Sequence, residues 1–459
     1  MSEQPKDIFQ KCADFRDAAY MRSIGMYPYY RAIEKTCGNE VICDGQRKIM
    51  IGSNNYLGLA HDERVLEAAQ SAIRIYGSGC TGSRILSGTL KIHQELEEEL
   101  AHFLGREAVL VFSTGFFVNQ GALATLLEAG DFILCDRENH ASILDGCRFS
   151  TAKTVPYAHN NVAALRKRLA RLPKGGGRIV VADGVFSMSG DLVDLPGVVA
   201  AAKEYGARVY IDEAHSLGVY GAGGEGVVRH FGLDAGVDLV MGTFSKSLGS
   251  MGGFLAGPQF VIDYLKHKAR CFLFTAALAP AVAGGVLKAL QILQAEPELI
   301  ARLWRNARKM HEGFRRIGFN IGTTQSPIVP ILIGSEKKAF IFSQKLYEAG
   351  IFTTPAIFPA VRYGQAVVRT SYMASHTDEE LDYVLETFER IGKELGVFQD
   401  AAYSGDHASG NGKKGVNGAW DFLVPDEDGV DGVRAAAGGD SPHGPVLRTA
   451  VPGKRRQDL

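Results

Sequence analysis

Lys246 lies in the run Met241-Gly-Thr-Phe-Ser-Lys-Ser-Leu-Gly249, just after the apolar stretch Asp238-Leu-Val-Met241. Upstream, the apolar run Val209-Tyr-Ile-Asp-Glu-Ala-His215 ends in an acid and an imidazole. An amine at one strand end and an Asp/His pair at another suit pyridoxal phosphate (PLP) chemistry. The amine carries the cofactor as a Schiff base, and the acid keeps the pyridine nitrogen protonated so that the ring accepts electrons. Thr243, Ser245 and Ser247 beside the lysine offer hydroxyls to a phosphate. Asp212 alone could cap the next helix and Lys246 alone could be a surface lysine; their shared setting favours chemistry.

Other candidates are weaker singly. Ser113-Thr-Gly-Phe116 follows an apolar run, so Gly115 allows close backbone approach and the helix start offers free N–H groups to a phosphate. His140, in Asp136-Arg-Glu-Asn-His-Ala-Ser-Ile-Leu-Asp145, could stack on an aromatic ring. Ser187, in Asp183-Gly-Val-Phe-Ser-Met-Ser-Gly-Asp191, could donate to a ring hydroxyl. Gly221-Ala-Gly-Gly-Glu-Gly226 fits GxGxxG, but His215 to Tyr220 separate it from the strand, so a dinucleotide site is not expected.

Elements must place these groups. Ala108–Phe112, Phe132–Cys135, Ile179–Ala182, Val209–Ile211, Leu239–Met241 and Gly253–Ala256 read as buried strands, separated by stretches long enough for helices. This alternation predicts a mostly parallel sheet covered by helices, with ligands at the carboxyl ends of strands. Ile92, Leu96, Leu100 and Phe103 predict a helix on which Glu97, Glu98 and Glu99 form a solvated face rather than a metal site; no metal is expected. From about 290 the texture changes. Strand-like Ile328–Ile333 and Val367–Ser371 alternate with helices, the last opened by a capping box at Thr377-Asp-Glu-Glu. The expected organisation is an N-terminal segment 1–59, a large α/β domain 60–285, a smaller α+β C-terminal domain 286–397 and a disordered tail 398–459. In that tail, Trp420-Asp-Phe-Leu-Val424 is one apolar island.

The 459 residues, 46% hydrophobic, suffice for two packed domains. A net charge of −1 gives no basic surface for nucleic acid. The 7 cysteines form no CxxC pair and fit a reducing, cytoplasmic compartment. Met1 to Arg16 lacks the apolar core of a signal peptide, and no run is long enough to span a membrane.

Together the runs resemble the α-oxoamine synthases, fold-type-I PLP enzymes, over roughly residues 27 to 397. The resemblance rests on Ser53-Asn-Asn-Tyr-Leu-Gly-Leu59, Gly77-Ser-Gly-Cys-Thr-Gly-Ser-Arg-Ile-Leu-Ser-Gly-Thr89, Phe112-Ser-Thr-Gly-Phe116 and Asn139-His-Ala-Ser142. It continues through Asp212-Glu-Ala-His-Ser-Leu-Gly218, Thr243-Phe-Ser-Lys246, Phe274-Thr-Ala-Ala277 and Val368-Arg-Thr-Ser371. It implies an acyltransferase that joins an amino acid to an acyl-CoA with loss of CO2. Lys246 would hold PLP and move the α-proton, His140 would stack on the ring, and Asp212 would pair with its nitrogen. His215 and Ser187 would lie at the ring oxygen. Gly115, Phe116, Thr243 and Ser245 would hold the phosphate, with Thr275 reaching it from the other subunit of a homodimer. Arg369 would bind the substrate carboxylate near Asn55. The 77–89 segment and Met26-Tyr-Pro-Tyr-Tyr-Arg31 look most like members that condense L-serine with a long-chain acyl-CoA to a 3-keto long-chain base, a step of sphingolipid synthesis. The loop Thr354-Pro-Ala-Ile-Phe-Pro-Ala-Val-Arg362 departs from that branch and leaves Arg362 as a second carboxylate candidate. Alternatives are the branches making 8-amino-7-oxononanoate or 2-amino-3-ketobutyrate, an aminotransferase, and a non-catalytic partner subunit. Acyl-chain length, the acyl carrier and peripheral contact with a membrane stay open at this point.

Overall fold

The computed structural model describes residues 7–398. The tail and its island Trp420–Val424 therefore lie outside the described residues, except for Phe398. Near the N-terminus three short strands, β1 (Lys35–Cys37), β2 (Glu40–Cys43) and β3 (Gln46–Met50), form an antiparallel meander.

The central sheet has seven strands. These are β4 (Ala108–Phe112), β5 (Phe132–Asp136), β6 (Lys153–Tyr157), β7 (Arg178–Asp183), β8 (Arg208–Asp212), β9 (Leu239–Thr243) and β10 (Gly253–Gly257), in the order β4-β10-β9-β8-β7-β5-β6. β5 to β9 are parallel, while β10 runs antiparallel to both β4 and β9. β4, β5, β9 and β10 are buried at every position, which is why they read as unbroken apolar runs. In the parallel register Asp183 stands opposite Asp212, and Asp212 opposite Met241. Adjacent carboxyl ends thus carry the two acids side by side.

Beyond the sheet, β11 (Ile328–Gly334), β12 (Ile351–Phe352), β13 (Pro355–Ala356) and β14 (Ala366–Ser371) follow. β11, β14 and β13 form a three-stranded sheet, whereas β12 adds to β3 in parallel. The helix Glu298–Ile317 joins two apolar clusters: Leu299, Ile300 and Leu303 pack in the cluster at the large sheet, Met310 and Phe314 in the other. Thr377 and Glu380 cap the last helix, Asp378–Leu395, reciprocally.

One expectation is corrected. Glu97 is not on a solvated face. Its carboxylate takes a bidentate pair from the buried Arg84 guanidinium at 2.8 and 2.9 Å and accepts the Val111 N–H at 3.0 Å. The clamp ties the glycine-rich 77–89 segment to β4. No helix among the described residues is long and apolar enough to cross a membrane.

Candidate active site

A cavity of about 350 Å³ opens at the carboxyl ends of β4, β5, β7, β8 and β9. Of the residues expected there, Gly115, Phe116, His140, Asp212, His215, Thr243, Ser245 and Lys246 all line it. An open depression at Arg22, Tyr27 and Tyr30 holds neither carboxylate nor lysine.

One end of the cavity is an anion cradle. Thr114 caps the helix Gly115–Leu126, its hydroxyl accepting the Phe117 N–H at 3.2 Å. The first helical N–H groups, at Gly115 and Phe116, have no partner within a helix and form the positive end of its dipole. A Cβ on Gly115 would stand 2.7 Å from Thr243 Oγ1, so this position requires glycine. Thr243 Oγ1 donates to the Gly252 carbonyl at 2.9 Å and lies 2.9 Å from Ser245 Oγ. A helix start with two hydroxyls is a site for a phosphate.

The other end holds acids, imidazoles and the amine. Asp212 accepts Asn119 Nδ2–H at 2.7 Å on one oxygen and the Ala214 N–H at 2.9 Å on the other. Asn119 is one turn beyond Gly115. The helix Ala141–Phe149 approaches it closely at Gly146, where a Cβ would meet the Asn119 carbonyl at 2.8 Å. Asn119 also donates to Ser142 Oγ at 2.8 Å and accepts from Tyr210 at 2.7 Å. Ser142 Oγ is 2.7 Å from His140 Nδ1. His215 Nδ1 lies 2.7 Å from the Tyr56 hydroxyl. Burial pushes that phenol up to about 12, so it keeps its proton and donates; the His215 proton then sits on Nε2.

Burial lowers His215 well below the ordinary histidine range, and the charges of Lys246 and Arg369 add to this. His140 and Ser245 keep exposed surface, as groups lining an open cavity do. The protein around the His140 ring still lowers its pKa by desolvation. The Lys246 ammonium is lowered to about 8 by burial, against the pull of Asp212. An amine near neutrality is suited to moving protons.

The remaining expected residues lie elsewhere. Arg369, on β14, donates from Nε to the Ser187 carbonyl at 2.7 Å and from a terminal nitrogen to Asn54 Oδ1 at 2.9 Å. The asparagine touching Arg369 is thus Asn54. Asn55 instead accepts the Ala60 N–H at 3.3 Å within its own loop. Ser187 meets Arg369 through its backbone. Arg362 is half-exposed and paired with Glu138 at 2.8 Å. Thr275 is outside the cavity, beside the bridge between Ser83 and Ala276. In the glycine run 221–226 no phosphate loop forms; Glu213 accepts the Val227 and Val228 N–H groups there, each at 2.8 Å.

Sequence reasoning missed Asp183, Tyr56, Asn119, Ser142 and Tyr210. Two signals were available. Asp183 ends its strand as Asp212 does, and Tyr210 is two residues before Asp212 on the same strand face.

Residues 46–388 match the family described as aminotransferase class I and II, and the chain belongs to it. It is 46% identical to a serine palmitoyltransferase of Sphingobacterium spiritivorum over 390 residues, covering 85% of this chain and 98% of that one. It is 42% identical to an 8-amino-7-oxononanoate synthase of Thermosipho melanesiensis, covering 82% and 96%. A serine palmitoyltransferase from S. paucimobilis, solved with a PLP–myriocin aldimine, superposes with a TM-score of 0.83 at 36% identity, covering 85% of this chain and 100% of that one. The architecture is therefore the fold-type-I one that the resemblance implied, and its sheet is mostly parallel, as the strand–helix alternation predicted.

Proposed function

We propose that this chain is a PLP-dependent acyltransferase that condenses L-serine with a long-chain acyl-CoA, releasing CO2 and a 3-keto long-chain base. The observation carrying this reading is the cavity itself: a buried amine at Lys246, a hydrogen-bonded acid at Asp212 and a helix-start anion cradle at Gly115, all within one space. Asp183, with one buried carboxyl oxygen lacking a partner, and Gly115, where a side chain would clash, mark a preformed place for a polar ring and a phosphate. The residues fit PLP.

PLP, when bound, supplies an electron sink for a carbanion at the amino acid's α-carbon. Lys246 Nζ, half neutral near pH 8, takes the α-proton and returns one to the product. Asp212, its orientation fixed by Asn119 and Ala214, would pair with the ring nitrogen. His140 would cover the ring and His215 would donate to its oxygen, with Ser187, beside Arg369, as a further candidate there. Gly115, Phe116, Thr243 and Ser245 bind the phosphate. Arg369, oriented by the Ser187 carbonyl and Asn54, would bind the amino-acid carboxylate near Asn55, with Arg362, paired to Glu138, as the second candidate.

The choice of serine rests on relatives named serine palmitoyltransferase at 46% identity. A second reading, 8-amino-7-oxononanoate synthesis, is favoured by relatives of that name at 42–43%. Mass-spectrometric product assay of the PLP-loaded enzyme, crossing serine, glycine and alanine with acyl-CoAs of several lengths, decides between them. Serine with palmitoyl-CoA should give the 3-keto base, and Lys246→Ala should give none. Turnover only with alanine and pimeloyl-CoA would transfer the enzyme to the second branch.

A homodimer in which Thr275 reaches the partner's phosphate belongs to the same proposal. Its support is the exposed apolar surface beside Thr275: Phe274 is 74% exposed and Leu86 82%. Sedimentation should read twice the chain mass. The two apolar clusters support a large and a smaller C-terminal domain, but the first cluster runs past 285 through Leu290, Leu293 and Leu303, and the β12–β3 pairing draws part of 1–59 to the second. A cytoplasmic location, inferred from the cysteine pattern, is checked by fractionation.

A further inference from the structure

Asp183 ends β7 as Asp212 ends β8, and the two are register partners across the parallel pair. Both line the cavity. Neighbouring strands lie about 4.8 Å apart, and partners in register point to the same face. Two ionised carboxylates there would repel each other with little water to screen them.

The pair is not symmetrical. Asp212 has an N–H donor on each oxygen, from Asn119 at 2.7 Å and Ala214 at 2.9 Å. Asp183 accepts only the His140 backbone N–H, on Oδ2 at 3.0 Å. Its Oδ1 is buried and has no partner, although the residue is 4% exposed. A bare carboxylate oxygen in that place is costly, whereas a carboxyl O–H there is a donor awaiting an acceptor.

We propose that Asp183 is the protonated member of this pair, and that its Oδ1–H binds an anionic oxygen of the cavity's occupant. Given the functional reading above, that oxygen belongs either to PLP or to the amino acid's carboxylate. Asp183 thereby joins the site as a binding residue. Because the same carboxyl also holds the His140 backbone, it ties the acid to the imidazole that covers the ring.

The surrounding charges agree. Burial raises the Asp183 carboxyl well above its usual range, Asp212 and then Asp136 of β5 push the same way, and the His140 N–H and then Lys246 oppose them. Tyr157 of β6 is a fully buried phenol held protonated. Asp136 is itself paired at 3.0 Å with His159, which Asp191 contacts at 3.0 Å on its other nitrogen. The two carboxylates hold the His159 imidazolium up to about 10 against desolvation, so the cation behind Asp136 persists at neutral pH.

Infrared difference spectra of the apoprotein at pH 8, wild type minus Asp183→Asn, should contain a protonated-carboxyl band. Its absence would overturn the proposal without reference to any ligand. Apoprotein is next titrated with PLP, and the loaded protein with L-serine. Asp183→Asn, which keeps a neutral donor, should bind within about threefold of wild type, whereas Asp183→Leu should lose about tenfold or more. Loss in the PLP titration assigns the acceptor to the cofactor; loss only in the serine titration assigns it to the substrate. A tenfold gain in PLP affinity for Asp183→Asn would mean that wild type is ionised, and would refute the proposal. So would unchanged binding of both ligands by Asp183→Leu. If wild type bound no PLP, the functional reading and the ligand choice would both fall, while the infrared band would still decide the ionisation of Asp183.

Discussion

Replacing Lys246 by methionine in the apoprotein should change stability in a way that depends on pH. Methionine has nearly the same length and no proton to exchange. Burial lowers the ammonium from 10.5 to about 8 in the folded chain, with Asp212 opposing and Arg369 reinforcing. Below pH 8 the lysine is protonated in both folded and unfolded states, and the folded state bears the whole penalty of holding that charge. Between pH 8 and 10.5 the unfolded chain binds the proton and the folded chain does not, so wild-type stability rises with pH across that window. The displacement corresponds to ~3 kcal/mol. Lys246 stands in an open cavity and is partly exposed, so solvent screening reduces this to about 2 kcal/mol.

Removing the ammonium also leaves Asp212 without its cation. That cost shifts the Met variant by an amount that does not titrate between pH 7 and 10.5, so it cancels when the wild-type minus variant difference is followed with pH. For a chain of 459 residues the unfolding entropy is about 1 kcal/mol per degree. Wild type should therefore gain roughly 2 °C in Tm on the variant between pH 7 and 10.5. Thermal melts of both apoproteins measure it. A constant or reversed difference would refute the claim that burial sets the lysine's proton affinity, and with it the argument that Lys246 is a ready base near neutrality.

Three further outcomes follow from contacts around the cavity. Gly115→Ala places a Cβ 2.7 Å from Thr243 Oγ1 and should weaken PLP binding about tenfold or more, read by titrating the apoprotein. Tyr56→Phe removes the donor to His215 Nδ1 and should lower kcat about tenfold while PLP affinity stays close to wild type. Arg84→Met strands the carboxylate of Glu97 and should destabilise the fold by about 3 kcal/mol in urea unfolding, whereas a loss under 1 kcal/mol would count against the clamp.

What the sequence revealed and what it hid have physical reasons. Val209–Ile211 and Leu239–Met241 were legible because central parallel strands are apolar on both faces. β6 was not. Lys153-Thr-Val-Pro-Tyr157 is one of the sheet's two edge strands, where exposure and a proline are tolerated, and its pattern is broken. Glu97 defeats helical periodicity because a wheel sees only that it is charged, while its partner Arg84 comes from a segment that no period relates to it. Lys246, Asp212, His215, His140 and Gly115 were found because each follows a strand end or opens a helix. Arg369 meeting Asn54 and Ser187 is a contact across elements far apart in sequence, and only the fold brings them together.

The residues hardest to read set the protonation pattern that the legible ones need. If the Asn119 amide were flipped, its oxygen would face the Asp212 carboxylate, so Nδ2 must point there and Oδ1 must accept the Tyr210 proton. The second Nδ2 hydrogen then goes to Ser142 Oγ, which leaves the Ser142 hydroxyl proton for His140 Nδ1. Tyr56 does the same for His215 Nδ1. Both cavity imidazoles, neutral through burial, are thus fixed with Nδ1 as acceptor and the proton on Nε2. One hydroxyl comes from a helix and the other from the loop at residues 53–59. Neither stands out by spacing, because its role is to orient a neighbour rather than to react. Sequence pattern marks where the reacting groups emerge from the sheet; their tautomers depend on a hydrogen-bond chain that exists only once the helices have packed.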